Sequence, residues 1–417
     1  MPSFNYLDGQ LHAEGVSLAG LAGSYGTPCY VYSRTAILDH WQEFEHALSG
    51  TDHLICYSVK SNSNIAILNL LANQGAGFDI VSVGELERVL AAHGDPGKVV
   101  FSGVGKRTDE MKRALETGIK CFNIESLSEL QLLDNVAADM GKIAPVSVRV
   151  NPDVDARTHP YIATGLKQNK FGIAFNEALS VYQKATRLPH IKIEGIDCHI
   201  GSQITSLEPF RDALEKLTGL IKEIEATGIK IGHVDIGGGL GIRYQDETPP
   251  AIADYISTVR EIFPGSSCQI IIEPGRSIMG NAGILLTRVL YLKHTEDKNF
   301  AIVDAAMTEL LRPALYNSWH EVLPVNESAN EPGIVYDLVG PVCESADFLA
   351  RNRTLSLVEG DLVALLSTGA YGFSMASTYN SRPRCCELLV DGDKINVIRS
   401  RETVEVLMAG ESLVPDN

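Results

Sequence analysis

No uninterrupted apolar stretch in this chain approaches the roughly 20 residues of a membrane-spanning helix, so none is expected. The start, Met1-Pro-Ser-Phe-Asn-Tyr-Leu-Asp8, has no basic segment leading into an apolar one, and no export signal is expected either. Positive charge is in deficit. Thirty-five Lys+Arg against 52 Asp+Glu leave a formal charge of -17, which opposes binding to nucleic acid or an anionic membrane. A small anionic substrate then needs a local cationic pocket. The cysteines, at positions 29, 56, 121, 198, 268, 343, 385 and 386, form no CxxC and have no histidine at zinc spacing. Reduced thiols, a cytoplasmic location and no metal centre are expected. There is no Walker loop and no GxGxxG, which disfavours nucleotides, and no low-complexity tract or charge block.

What is present is an ordinary globular composition, 45% hydrophobic and 21% charged, over 417 residues, enough for two domains. Between residues 54 and 276, short β-branched runs alternate with amphipathic segments of helix length. The strand candidates are Leu54–Val59, Gly77–Val81, Val99–Ser102, Cys121–Ile124, Val146–Val150, Ile193–Cys198, His233–Ile236 and Gln269–Ile272. Helical patterns such as Ile65–Gln74, Thr108–Thr117 and Pro209–Thr227 lie between them. Eight such units predict an α/β fold, a (β/α)8 TIM-type barrel, in preference to a doubly wound open sheet. Beyond residue 280, runs such as Gly283–Leu292, Ile334–Val339 and Glu387–Val390 read as strands, with one helix near Met307–Trp319. Pro28-Cys-Tyr-Val-Tyr-Ser33 reads as a strand of the same C-terminal mostly β domain, and helix Arg34–Leu48 as the lead into the barrel. The expected division is a barrel over 36–279 and a β-rich domain from 1–35 and 280–417.

A barrel builds its site at the carboxyl ends of its strands, so the residues there matter most. The first strand runs into Lys60, and a lysine partly desolvated at that place is a nucleophile toward carbonyl carbons, although most lysines ending strands are simply solvated. The second carries Asp79 and runs into Ser82. The sixth ends in His199-Ile-Gly-Ser-Gln203, the seventh in Gly237-Gly-Gly-Leu-Gly241 and the eighth in Glu273-Pro-Gly-Arg276. Three adjacent glycines expose backbone N–H groups to an anion, at the place where barrels commonly hold phosphate. Taken singly, the glycines are also compatible with a tight turn, His199 with a packing role, and Glu273 beside Arg276 with a salt bridge. A lysine, a glycine cradle, a flat ring and a carboxylate together suit pyridoxal 5'-phosphate.

On these motifs, together with Tyr57-Ser-Val-Lys60, Arg312-Pro-Ala-Leu-Tyr316, Gly340-Pro-Val-Cys-Glu-Ser345 and Gly369-Ala-Tyr-Gly372, the sequence resembles the barrel-type, pyridoxal-phosphate-dependent amino-acid decarboxylases. The closest resemblance is to their diaminopimelate branch, and it runs over nearly the whole chain. It implies an alanine racemase-like two-domain architecture and decarboxylation of meso-2,6-diaminopimelate at its D centre to L-lysine and CO2. By resemblance, Lys60 carries the cofactor, Asp79 is a cofactor-binding residue beside it, and His199 stacks on the ring, with Lys60 and His199 counted among the catalytic residues. Ser202, Gly238, Gly239, Gly275, Arg276 and Tyr371 hold the phosphate, and Glu273 pairs with the pyridine nitrogen. Arg276, Arg312, Tyr316 and Tyr371 face the substrate, and Glu344 receives its distal ammonium. Cys343 is the proton donor, or governs a water that is. The resemblance also implies a homodimer with composite sites, in which Cys343 and Glu344 come from the other subunit. Alanine racemase places an arginine at the pyridine nitrogen, so Glu273 favours decarboxylation. Ala346, where glycine is frequent, and Cys385-Cys386, after Arg382-Pro-Arg, depart from the usual pattern. The rival readings are a decarboxylase of carboxynorspermidine, ornithine or arginine, and a non-catalytic carrier of the cofactor. The stretch His159–Phe171 is long enough to act as a lid.

Overall fold

The computed structural model describes residues 3–155, 169–263, 268–327 and 332–415; of the lid candidate 159–171, only 169–171 fall among them, and the rest lies outside the described residues. The chain divides into two compact units, one of Asp39–Arg243 and Glu247–Ile278, the other of Met1–Leu38, Tyr244–Asp246 and Met279–Asn417.

The first unit is the barrel. Its strands are β1 (His53–Ser58), β2 (Gly77–Ile80), β3 (Val99–Phe101), β4 (Cys121–Ile124), β5 (Ala144–Asn151), β6 (Ile191–Asp197), β7 (His233–Asp235) and β8 (Gln269–Ile272). Each pairs in parallel with the next, β8 pairs back onto β1, and the eight strands close. Strand side chains alternate in direction, so one set turns to the axis. Cys56, Val100, Cys121 and Ile271 meet there in one buried cluster. The helices begin where polar residues follow the strands: Asn64, Ser82 and Ser126 each cap a helix by accepting an N–H, from Ala66, Glu85 and Glu129. Long side chains on the helices then cover the outside of the barrel, as Leu214, Leu217, Leu220, Ile221 and Ile224 do on Glu208–Ala226.

The second unit is a mostly antiparallel sheet, in the order Phe348–Leu355, Ile334–Val339, Asn299–Val303, Gly283–His294, Cys29–Ser33, Cys386–Asp391, Lys394–Arg399. Cys29–Ser33 is the strand expected in the N-terminal segment, and it pairs with Gly283–His294 as that expectation required. A small sheet of Phe4–Leu7, Gln10–Ala13 and Val16–Ser17 packs with it around Leu11, Leu18, Val31, Ile284 and Leu388.

Two expectations change. The helix expected near Met307–Trp319 is only Arg312–Tyr316, because Pro313 fits a first helical turn and Asn317 takes the left-handed conformation that stops it. Phe348–Leu355 is a strand the sequence reading passed over, since Arg351, Asn352 and Arg353 interrupt its apolar alternation and Asn352 has φ 53°. No helix among the described residues is long and apolar enough to cross a membrane. No disulfide joins any of the eight cysteines, all of which lie among the described residues, and of them Cys343 is exposed.

Candidate active site

The barrel's polar layer follows from strand register. Ser58 stands level with Asp79, Asn123 with Ser147, and Asp197 with both Arg149 and Asp235. All are buried near the carboxyl ends of their strands, where an apolar interior gives way to hydrogen-bonding groups. Lys60 sits one turn beyond β1, in the 3-10 segment Val59–Ser61. Its Nζ donates to Asp79 Oδ2, which also accepts from Ser58 Oγ at 2.8 Å. A partly exposed amine is thereby aimed by a buried carboxylate. Glu85 stands near this pair; burial pushes its carboxyl up to about 7, against the opposing pull of Lys60.

The loops after β6 and β7 are zipped together. Ile204 N–H donates to Gly239 O at 2.9 Å, Gly241 N–H donates to Ile204 O at 2.9 Å, and the Gln203 amide bonds both the N–H and the carbonyl of Ile242. His199 Nδ1 accepts from Gly238 N–H at 3.2 Å, which leaves the ring proton on Nε2. Burial, with Arg149 and Lys60 adding to it, holds this imidazole well below its ordinary pKa. It is a flat neutral ring. Gly237 has φ +66°, and a side chain there would meet His199 Nδ1 at 2.5 Å. At Gly238 a Cβ would lie 2.2 Å from the carbonyl oxygen of Glu273. The Gly238→Ala variant is therefore expected to lose about 1–3 kcal/mol of stability through overpacking, and to bind pyridoxal phosphate at least about tenfold more weakly as the cradle shifts. Thermal melting and cofactor titration of the apoprotein measure both; unchanged affinity would remove this glycine from the cradle.

After β8, Gly275 packs its backbone against Ser58 and Ser61, and Arg276 opens the short helix Arg276–Met279. Arg276 Nε and Nη2 donate to Ser202 Oγ at 3.3 and 3.0 Å. Ser202, the glycine run and Arg276 are thus brought together by these contacts. Glu273 is buried, and its Oε1 has no hydrogen-bond partner. Burial and then the neighbouring Asp235 and Asp79 push its carboxyl well above the usual range.

Two residues that the sequence reading did not single out complete this layer. Asp197 and Asp235 each offer a carboxylate oxygen in a group with Glu273, all within 4.8 Å of one another. Burial raises both acids, Asp235 to about 6. Arg149 offsets part of the charge, with Nη1 3.1 Å from Glu125 and Nε 3.8 Å from Asp197. The available signal was a carboxylate inside an otherwise apolar strand, as in Gly195-Ile-Asp-Cys198 and Val234-Asp-Ile236.

In the other unit, Arg312 is buried and Tyr316 half-buried. The Arg312 guanidinium lies 4.5 Å over the Tyr244 ring, and its Nη1 donates to His320 Nε2 at 2.9 Å. Tyr371 is half-buried with φ 56°. Cys343 and Glu344 are exposed at the tip of a turn. Asp347 braces that turn, accepting from Val342 N–H at 2.8 Å and Met307 N–H at 2.6 Å, while Cys343 N–H donates to Asn380 Oδ1 at 3.1 Å.

The barrel residues fit pyridoxal phosphate on their own chemistry. A buried carboxyl at Glu273 has one oxygen without a hydrogen-bond partner and suits a cationic N–H, a glycine backbone too crowded for side chains offers amides to an anion, and an amine stands beside them. Residues 34–280 match the family model described as "Pyridoxal-dependent decarboxylase, pyridoxal binding domain". The diaminopimelate decarboxylase of Pseudomonas aeruginosa is 60% identical over 415 residues, with 100% of each chain covered. The crystal structure of diaminopimelate decarboxylase from Helicobacter pylori complexed with L-lysine is 42% identical, covers 94% of this chain and 98% of its own, and has a TM-score of 0.90. That of the enzyme from M. jannaschii, also with L-lysine, is 35% identical with a TM-score of 0.94, covering 99% and 98%. Shared sequence over the full length, the closed barrel with its β-rich companion and the cofactor chemistry lead to one statement: the chain belongs to the pyridoxal-dependent diaminopimelate decarboxylase family.

Proposed function

We propose that the chain decarboxylates meso-2,6-diaminopimelate at its D centre, releasing L-lysine and CO2, with pyridoxal 5'-phosphate as cofactor. The observation that carries this reading is full-length identity of 60% to a diaminopimelate decarboxylase; the Lys60–Asp79 and Arg276–Ser202 contacts in the barrel support it. The cofactor supplies an electron sink next to the carbon that loses CO2. The chain does the rest. Lys60 would hold the cofactor through its amine, with Asp79 accepting the N–H of that amine. His199 supports the ring from one face, as its neutral state suits. Glu273 takes the ring N–H. Ser202, Arg276, Tyr371 and the amides of Gly238, Gly239 and Gly275 bind the phosphate.

Arg276, Arg312, Tyr316 and Tyr371 hold the carboxylate of the substrate's L centre, a task suited to planar guanidinium groups, and so present the D centre to the chemistry. Cys343 and Glu344 stand exposed on a braced turn, which supports the reading that they serve a second copy in a homodimer. In that dimer, Cys343 of the partner subunit returns a proton to the carbon and Glu344 of the partner subunit receives the distal ammonium. Buried thiols outside any disulfide are consistent with a cytoplasmic enzyme.

The deciding experiment is single-substrate turnover of cofactor-loaded protein with meso-diaminopimelate, ornithine, arginine and carboxynorspermidine, scoring CO2 and amine product. L-lysine from meso-diaminopimelate alone is expected. Turnover of another substrate instead would reassign the specificity residues, and no turnover with bound cofactor would favour a carrier. Arg312→Leu is expected to raise KM for diaminopimelate by about 10²–10³, the cost of leaving a buried carboxylate unpaired, with kcat little changed. An unchanged KM would remove Arg312 from substrate binding.

A further inference from the structure

Arg312 carries five N–H donors, no acceptor and a permanent charge. The 2.9 Å contact between its Nη1 and His320 Nε2 therefore requires the lone pair of a neutral imidazole. The ring's single proton then sits on Nδ1, which donates to the Leu366 carbonyl at 2.8 Å. The tautomer is fixed from both sides, and His320 is fully buried.

The chain is folded to make this contact. Asn317, left-handed at φ 51°, ends the helix that Arg312 begins, and Ser318 N–H points back to the Arg312 carbonyl at 3.5 Å. That reversal returns His320 to Arg312 eight residues later in sequence. Arg353 Nη2 donates to the His320 carbonyl at 3.0 Å, and the Tyr244 ring stands edge-on to the imidazole at 5.5 Å while its face underlies the Arg312 guanidinium. One edge of the guanidinium is fixed by the imidazole and one face by the phenol.

The choice of a neutral acceptor has a consequence for charge. A carboxylate in the place of His320 would orient the guanidinium equally well but would neutralise it before any substrate arrived. An imidazole accepting through Nε2 orients the group and adds no opposing charge of its own. We propose that His320 is a positioning residue for substrate selection: it sets the Arg312 guanidinium for the carboxylate at the far end of the substrate without itself adding an opposing charge. This rests on the reading above that Arg312 binds that carboxylate.

The test uses the holoenzyme with His320→Leu, His320→Gln and Arg312→Leu, measuring kcat and KM for meso-diaminopimelate and inhibition by two molecules. L-lysine keeps the distal carboxylate, and 1,5-diaminopentane lacks it. His320→Leu is expected to raise KM and the L-lysine inhibition constant together, by about 10–100-fold, with kcat within about threefold and diaminopentane inhibition unchanged. His320→Gln, whose amide oxygen can accept from Arg312, is expected to recover most of the loss. Unchanged KM in a folded His320→Leu enzyme, or equal losses for both inhibitors, would overturn the proposal. Should circular dichroism find His320→Leu unfolded, His320→Gln against His320→Asn decides, since the shorter amide falls short of Arg312; equal values for the two overturn it. Arg312→Leu separates the levels. If it leaves KM unaltered, the reading of Arg312 itself fails, whereas a raised KM there with normal His320 variants overturns only this inference.

Discussion

Replacing Lys60 with alanine is expected to reduce turnover of diaminopimelate by at least about 10⁴-fold while the barrel stays folded. The methyl group of alanine offers no amine to hold the cofactor covalently, so the cofactor should also leave on dialysis. The fold survives because Lys60 stands on a solvent-reachable turn outside the strand. Its loss does leave Asp79, fully buried, with Ser58 as its remaining donor among the bonds described above. Removing one partner of a fully buried pair costs about 3–5 kcal/mol, and the partial exposure of Lys60 places this variant below that range. Activity, absorbance after dialysis and circular dichroism measure the three parts. Turnover near the wild-type level would sink the assignment of Lys60.

The second large effect is at Glu273. Glu273→Gln is expected to lower kcat by about 10²–10³ with the phosphate end still bound, because a neutral amide cannot supply the charge that stabilises a protonated ring nitrogen. A kcat within threefold of wild type would count against that role. The apoprotein gives an independent readout. The folded carboxyl of Glu273 has its pKa raised above that of the unfolded chain, so the native state holds the extra proton. Its stabilising contribution is complete below the ordinary carboxylate pKa of about 4.3 and is lost as pH rises toward the folded value. Glu273→Gln apoprotein should therefore lose less stability than wild type between acid and neutral pH. Part of the slope remains, because Asp197 and Asp235 are raised as well. Denaturant melts of the two apoproteins across that interval compare the slopes, and identical slopes would mean that Glu273 is ionised in the native state.

Much of the site was legible because its chemistry is written in contiguous runs. Tyr57-Ser-Val-Lys60, His199-Ile-Gly-Ser-Gln203, Gly237-Gly-Gly-Leu-Gly241 and Glu273-Pro-Gly-Arg276 each lie in a single loop, where local residue types predict local geometry. His320 was not legible, although it is only eight residues from Arg312, because the contact depends on Asn317 reversing the chain and on the Leu366 carbonyl fixing the tautomer. Phe348–Leu355 was missed for a related reason: its polar residues are held by partners such as Asp337, which accepts from Asn352 N–H at 2.8 Å, and no local pattern records that.

The amino-acid sequence by itself determined the alternation of eight strands with helices, the order of the motifs and the kind of chemistry at each strand end, since periodicity and residue type are local properties. Only the tertiary structure decided that Asp197, Asp235 and Glu273 share one buried group and that Asp79 aims Lys60. Those residues come from separate strands, and barrel closure and strand register bring their side chains to one level. The resulting protonation depends on burial and on one another's charge, which no single stretch of sequence contains.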